Sequence, residues 1–167
     1  MTTPRTDLHP DYSDPAAAAV DWDEGRARLE DAPLYWISTV RPDGRPHVTP
    51  LIGVWVDDAI HVTTGAHERK ALNIAANPHC VVTTGTNALH GGLDVVVEGD
   101  AVRLTDDASL GRVAEAYVAK YGEEWRFTVE DGVFVHEAGE ALVFRIAPET
   151  AFGFGKDPYS QTRWRFA

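Results

Sequence analysis

Two tight connections follow one another between residues 34 and 64, and together they force neighbouring strands to run antiparallel. Residues 34–40, Leu-Tyr-Trp-Ile-Ser-Thr-Val, are aromatic and β-branched and read as a strand. Arg41-Pro42-Asp43-Gly44-Arg45 is a turn in which Pro42 presets φ and Gly44 supplies a positive φ. Residues 46–56 form the return strand, Asp57-Asp58 turns again, and residues 59–64 form a third strand. Parallel strands need a crossover of about a dozen residues or more, and neither connection has room for one.

The rest of the chain keeps to this plan. Residues 68–76 read as a short helix stopped by Asn77-Pro78, and 79–85 as a β-branched strand. After a loop over 86–92, residues 93–104 form a long strand in which Gly99 marks a bulge or bend. Residues 106–121 form a helix: Asp106 or Asp107 caps it, and Leu110, Val113, Ala114, Tyr117, Val118 and Tyr121 make one apolar stripe. Gly122 stops it. Residues 123–139 read as irregular around a short apolar piece at 133–135, followed by strands at 141–148 and 151–155. Near the start, residues 16–30 read as a helix, with Asp14 as cap, Pro15 in the first turn and Pro33 as terminator. Residues 1–14 are polar and proline-bearing and read as a flexible N-terminal arm, leaving 15–167 as a single domain. The expected fold is mainly β: six or seven antiparallel strands closing a barrel, with three peripheral helices. Trp36 and Trp55 lie in strands and are expected in the core.

Composition narrows the function. The net charge of −11 argues against nucleic acid as a general partner, which would need clustered Lys and Arg. Cys80 is the only cysteine, so an intramolecular disulfide or thiolate metal cluster is impossible, and its apolar setting reads as a buried structural thiol. No apolar run is long enough to span a bilayer and no signal peptide is evident, so the expected compartment is the cytoplasm. His47, His61, His67, His79, His90 and His136 are scattered without metal-ligand spacing, and no metal site is expected. No catalytic triad, carboxylate pair or phosphate loop stands out.

One segment stands apart. His61-Val62-Thr63-Thr64-Gly65-Ala66-His67-Glu68-Arg69-Lys70 ends a strand in two hydroxyls, passes a glycine loop and begins a helix with two cations. Cations are unfavourable at a helix N-terminus, so a bound anion would compensate them. Hydroxyls, helix amides and Arg69–Lys70 together suit a phosphate. A solvated turn with ordinary surface charges is the alternative. The tail, Gln161-Thr162-Arg163-Trp164-Arg165-Phe166, is rich in donors and aromatic rings, which suits docking on a planar ring, at a subunit interface, or simply in the core.

The order of these pieces over about 34–148, and above all Arg69-Lys70-Ala-Leu-Asn-Ile-Ala-Ala-Asn77-Pro78, resembles the pyridoxamine 5′-phosphate oxidase-like split β-barrel superfamily. Within it the chain is most similar to the flavin and deazaflavin oxidoreductases. The resemblance implies a homodimer with FMN or coenzyme F420 at its interface and a small conjugated organic substrate. It implies that Thr63, Thr64, Arg69 and Lys70, with His61 in the same segment, receive the cofactor phosphate. It implies that Val48, Thr49 and Pro50 run along the ring, and that Gln161, Arg163 and Trp164 reach it from the partner subunit. His90 and Tyr159 are candidate proton donors. Arginine far outnumbers lysine and alanine is abundant, a composition of high-GC genomes such as those of actinobacteria in which F420 is common, so F420 is slightly favoured over FMN. The ending departs from that of the pyridoxamine phosphate oxidases proper, and Glu68 sets an acid beside the expected clamp. A non-catalytic flavin- or haem-binding barrel, or an FMN enzyme of the pyridoxamine-phosphate oxidase type, is the alternative.

Overall fold

The computed structural model describes residues 3–167. The two turns read from sequence are both present. Gly44 has φ 84°, and Asp57 and Asp58 have φ 49° and 56°, the left-handed pair of a tight hairpin turn. They join β2 (Tyr35–Val40) to β3 (Pro46–Leu51), and β4 (Gly53–Val56) to β5 (Ala59–Thr64). The return strand expected over 46–56 is therefore two strands with different partners: among the described residues β3 pairs only with β2, while β4 pairs with β5. Gly53 opens the second piece because a Cβ there would press on the His61 carbonyl oxygen at 3.0 Å.

α2 (Arg69–Ala76) leads to β6 (His79–Thr84) and then to the long β7 (Leu93–Leu104). β7 is the trunk of the sheet. Its first half lies between β6 and β11 (Thr150–Gly155), and from Ala101 it pairs with β10 (Gly139–Ile146) instead. Gly99 sits at that change of neighbour, where any Cβ would collide with the Ala147 carbonyl. β10 continues to β5, and all pairings are antiparallel. Residues 128–136, expected to be largely irregular, form a hairpin of β8 (Thr128–Glu130) and β9 (Val133–His136) on the β10 edge. Among the described residues twelve strands, counting β1 (Arg5–Leu8) and β12 (Ser160–Arg165), thus join one sheet network where six or seven were expected.

β1 corrects the reading of residues 1–14 as a flexible arm: Arg5–Leu8 pairs in register with β12. Residues 1 and 2 of that arm lie outside the described residues. The first helix also starts later than expected, as α1 (Trp22–Asp31). Asp14 caps a local turn, its side chain accepting from the Ala16 amide at 2.8 Å. The backbone of Val20 is held by β12: its amide donates to Thr162 Oγ1 at 2.9 Å, and its carbonyl accepts from Trp164 Nε1 at 3.0 Å. Those tertiary bonds take the groups a longer helix would have used.

The barrel interior is filled by Tyr35, Ile37, Ile60, Val82, Val95, Val97, Ile146 and Trp164, all buried. α3 (Asp107–Tyr121) covers a second cluster with Leu110, Val113, Ala114 and Tyr117, the expected stripe. Asp106 caps it, accepting from the Ser109 amide at 2.9 Å, and Gly122 ends it at φ 96°. Trp55 packs against the core as expected, but Trp36 is 46% exposed on the outer face of β2. Among the described residues no helix is long and apolar enough to cross a membrane.

Candidate functional site

The end of β5, the turn after it and the first residues of α2 are built as the sequence suggests, with Gly65–Glu68 as the link. α2 lies against β2, where Asn73 Nδ2 donates to Thr39 Oγ1 at 3.0 Å. His47 stands opposite Thr39, and Thr49 opposite Ile37, so both point to the side of the sheet on which α2 packs against β2. His47 sits within the field of Arg41, Lys70 and Arg69, and its imidazole is held below its ordinary pKa by burial first and then by those three charges. The result is a cationic corner with polar atoms to spare. Arg41 Nε, His47 Nδ1 and Thr49 Oγ1 are shielded from solvent and have no hydrogen-bond partner. Buried polar atoms are rarely left so, and those of His47 and Thr49 on one side of β3, with that of Arg41 in the adjoining turn, suit an anion with several acceptor oxygens.

Lys70 is 11% exposed and reaches this corner, where it ion-pairs with Glu68. Arg69 is exposed and has no carboxylate partner among the described residues. Glu68 Oε1 accepts from the Gly65 amide at 2.8 Å. Burial pushes the Glu68 carboxyl up, but hydrogen bonds from Lys70 and Gly65, the lysine charge and the Thr64 hydroxyl outweigh it and hold the group below the usual carboxylate range. Thr64 is buried beside this carboxylate, whereas the Thr63 hydroxyl is spent on the Leu142 carbonyl at 3.1 Å.

Other expected residues lie elsewhere. His61 is 3% exposed inside the sheet, near Arg145 and Asp57. Burial, then Arg145, lowers its pKa to about 4, and it does not join the corner. The histidine that does, His47, was passed over in the sequence together with Arg41; the signal was the period of two that places His47 and Thr49 on one face. Val48 and Pro50 point the opposite way, and Val48 is 51% exposed. Trp164 is wholly buried and hydrogen-bonded in the core, so it cannot stack on an outside ring. Cys80 is buried beside the Gly99 carbonyl, with its thiol pushed up to about 12 by burial, as a structural thiol should be.

Gln161 and Arg163 face outward and line a shallow cavity of about 270 Å³ with Phe152 and Asp7. One rung of the sheet connects Arg163 to Phe152, Val96, Thr83, Trp36 and Pro50. Five strand spacings of about 4.8 Å put Arg163 roughly 24 Å from Pro50 in the same chain. His90 and Tyr159 are exposed at the Leu93 end of β7, where His90 Nδ1 lies 3.6 Å from Asp157. The corner is at the Gly99 end, about 20 Å away along the strand, so neither residue joins it within one chain. Next to the corner in the chain, Val40 and Pro46 border a cavity of about 430 Å³ whose other walls include Val81, Glu98, Glu149 and the His79–Asp100 pair. Among the described residues, no group of three or more acidic, histidine or cysteine side chains is placed to hold a metal.

Residues 22–154 match the model of the pyridoxamine 5′-phosphate oxidase family. The chain belongs to that family. Solved structures share its split-barrel fold at low identity. A conserved hypothetical protein from Mycobacterium tuberculosis is 19% identical with a TM-score of 0.68, over 84% of this chain and 88% of that one. An FAD-binding protein from Mesorhizobium loti is 22% identical with a TM-score of 0.60, over 87% and 94%. HutZ, the haem storage protein from Vibrio cholerae, is 19% identical with a TM-score of 0.59, over 76% and 89%. Among curated proteins no relative matches. At these identities the solved neighbours speak for the fold; their ligands range from flavin to haem.

Proposed function

We propose that this member of the pyridoxamine 5′-phosphate oxidase family is an oxidoreductase that carries a flavin-type cofactor, coenzyme F420 or FMN, with its phosphate in the corner between β3 and α2. The carrying observation is the set of unpartnered, shielded atoms Arg41 Nε, His47 Nδ1 and Thr49 Oγ1 beside Arg69 and Lys70. A phosphate would satisfy them and neutralise the cations. Lys70, Arg69 and Arg41 supply charge, and His47, Thr49 and Thr64 supply hydrogen-bonding atoms. β3 has one free edge among the described residues, so the backbone of Val48–Pro50 is open to the edge of a ring. When bound, such a cofactor supplies a ring that gives or takes a hydride, with a small conjugated organic molecule as substrate.

The reading includes a homodimer. Gln161 and Arg163 lie too far from Val48 and Pro50 to serve one ring in one chain, but a second copy brings the two ends together. The outer face between them carries Trp36, Val48 and Phe154, each more than a third exposed, as a subunit interface would. The test is a side-by-side titration of the full chain with F420, FMN and hemin, followed by absorbance and fluorescence. Saturable binding of F420 or FMN is expected. Tight binding of hemin with neither flavin would replace this proposal with the haem-binding reading, which the likeness to HutZ keeps in view.

A further inference from the structure

Glu68 is out of place in a corner made for an anion. Its carboxylate takes the Gly65 amide at 2.8 Å and the Lys70 ammonium, two of the donors that a phosphate would use. The Glu68 side chain is 52% exposed and that of Lys70, its partner, only 11%. Yet it leaves the corner unfinished, because Arg41 Nε, His47 Nδ1 and Thr49 Oγ1 stay without partners. Two carboxylate oxygens and one charge do less than a phosphate monoester, which has three strong acceptor oxygens and more charge. The half-exposed carboxylate also has bulk water to swing into.

Resting on the reading of this corner as the cofactor's phosphate site, we propose that Glu68 is a built-in competitor for that phosphate and sets how strongly the protein distinguishes phosphorylated from phosphate-free cofactor. A phosphate-bearing ligand enters by displacing the Glu68 carboxylate. A ligand that carries the same ring without phosphate leaves the Glu68–Lys70 pair in place and gains nothing from the corner.

The experiment compares wild type, Glu68→Gln, Glu68→Ala and Lys70→Ala as full-length proteins. Each is titrated with FMN against riboflavin, and with F420 against its phosphate-free chromophore, followed by fluorescence. For the pair that wild type binds, removing the acid is expected to tighten the phosphorylated member about tenfold in both Glu68 variants and to leave the other member unchanged. Glu68→Gln keeps an acceptor for the Gly65 amide, so one variant is free of backbone effects. If the phosphorylated member binds all Glu68 variants as it binds wild type, or more weakly, while Lys70→Ala weakens it, the competitor role is overturned and the phosphate site stands. If neither member of either pair binds any protein, both the role and the site fall.

Discussion

Two parts of this chain look unusual in sequence, the Thr63–Lys70 segment and the aromatic tail, and the fold treats them in opposite ways. At the tail every buried polar group is answered. Trp164 Nε1 donates to Val20, and Thr162 Oγ1 accepts from the same residue. Between β3 and α2, by contrast, Arg41 Nε, His47 Nδ1 and Thr49 Oγ1, with Asn73 Oδ1 on α2, go unanswered among several cations. Satisfied groups hold a fold together, whereas unsatisfied ones on half-buried side chains are a cost that a ligand can remove. The contrast separates the packed Thr162 and Trp164 from a corner that is chemically open to a ligand.

The sharpest way to break that contrast is Trp164→Ala. It should cost about 3–5 kcal/mol in denaturant unfolding, the range for deleting a buried aromatic side chain. Cofactor affinity of the folded protein should stay as it was; a loss of affinity at unchanged stability would make Trp164 itself part of the site.

His61 tests whether a missing partner is enough to mark a site. Its Nδ1 is also unpartnered, but it is enclosed, and burial lowers its pKa to about 4 from an ordinary 6.5. The unfolded chain binds the proton more tightly, so this contribution is complete above pH 6.5 and is lost as pH falls toward 4. The loss should be about 3 kcal/mol by linkage. Urea unfolding of wild type and His61→Gln at neutral and mildly acid pH should show the variant's stability falling less on acidification. Parallel pH profiles would remove the histidine from the account.

Lys70→Ala should weaken binding of the phosphorylated cofactor by about 1.5–3 kcal/mol, with a small change in unfolding free energy. Equal affinity in a fluorescence titration would refute the anion corner. The smallest effect is also the most discriminating. Thr162→Val should cost about 1 kcal/mol, because the Val20 amide loses its acceptor. Thr49→Val removes an atom that has no partner, so thermal unfolding should show it neutral or slightly stabilising. Destabilisation of equal size in the two variants would erase the difference between the regions.

What could be read in the sequence follows how local each cause is. α3 was legible from its stripe and from Asp106 and Gly122 because a helix carries its own punctuation. The two turns were legible for the same reason. The late start of α1 was not, because the bonds that hold Val20 out of the helix come from β12, more than 140 residues later. The break at Ile52 was hidden because it reflects a change of strand partner within an unbroken apolar stretch. In the site, Lys70 and Thr64 were visible because they lie in one segment. Arg41 and His47 were not, since they matter only once α2 is known to pack on their side of the sheet.

The double pairing of β7 has one more consequence. A slip of one residue against β10 would have to be matched against β6 and β11, and it would turn Val95 and Val97 outward together with Ala101. Because one continuous strand carries both sets of pairings, the two walls of the barrel share a single register, and neither can be correct unless the other is.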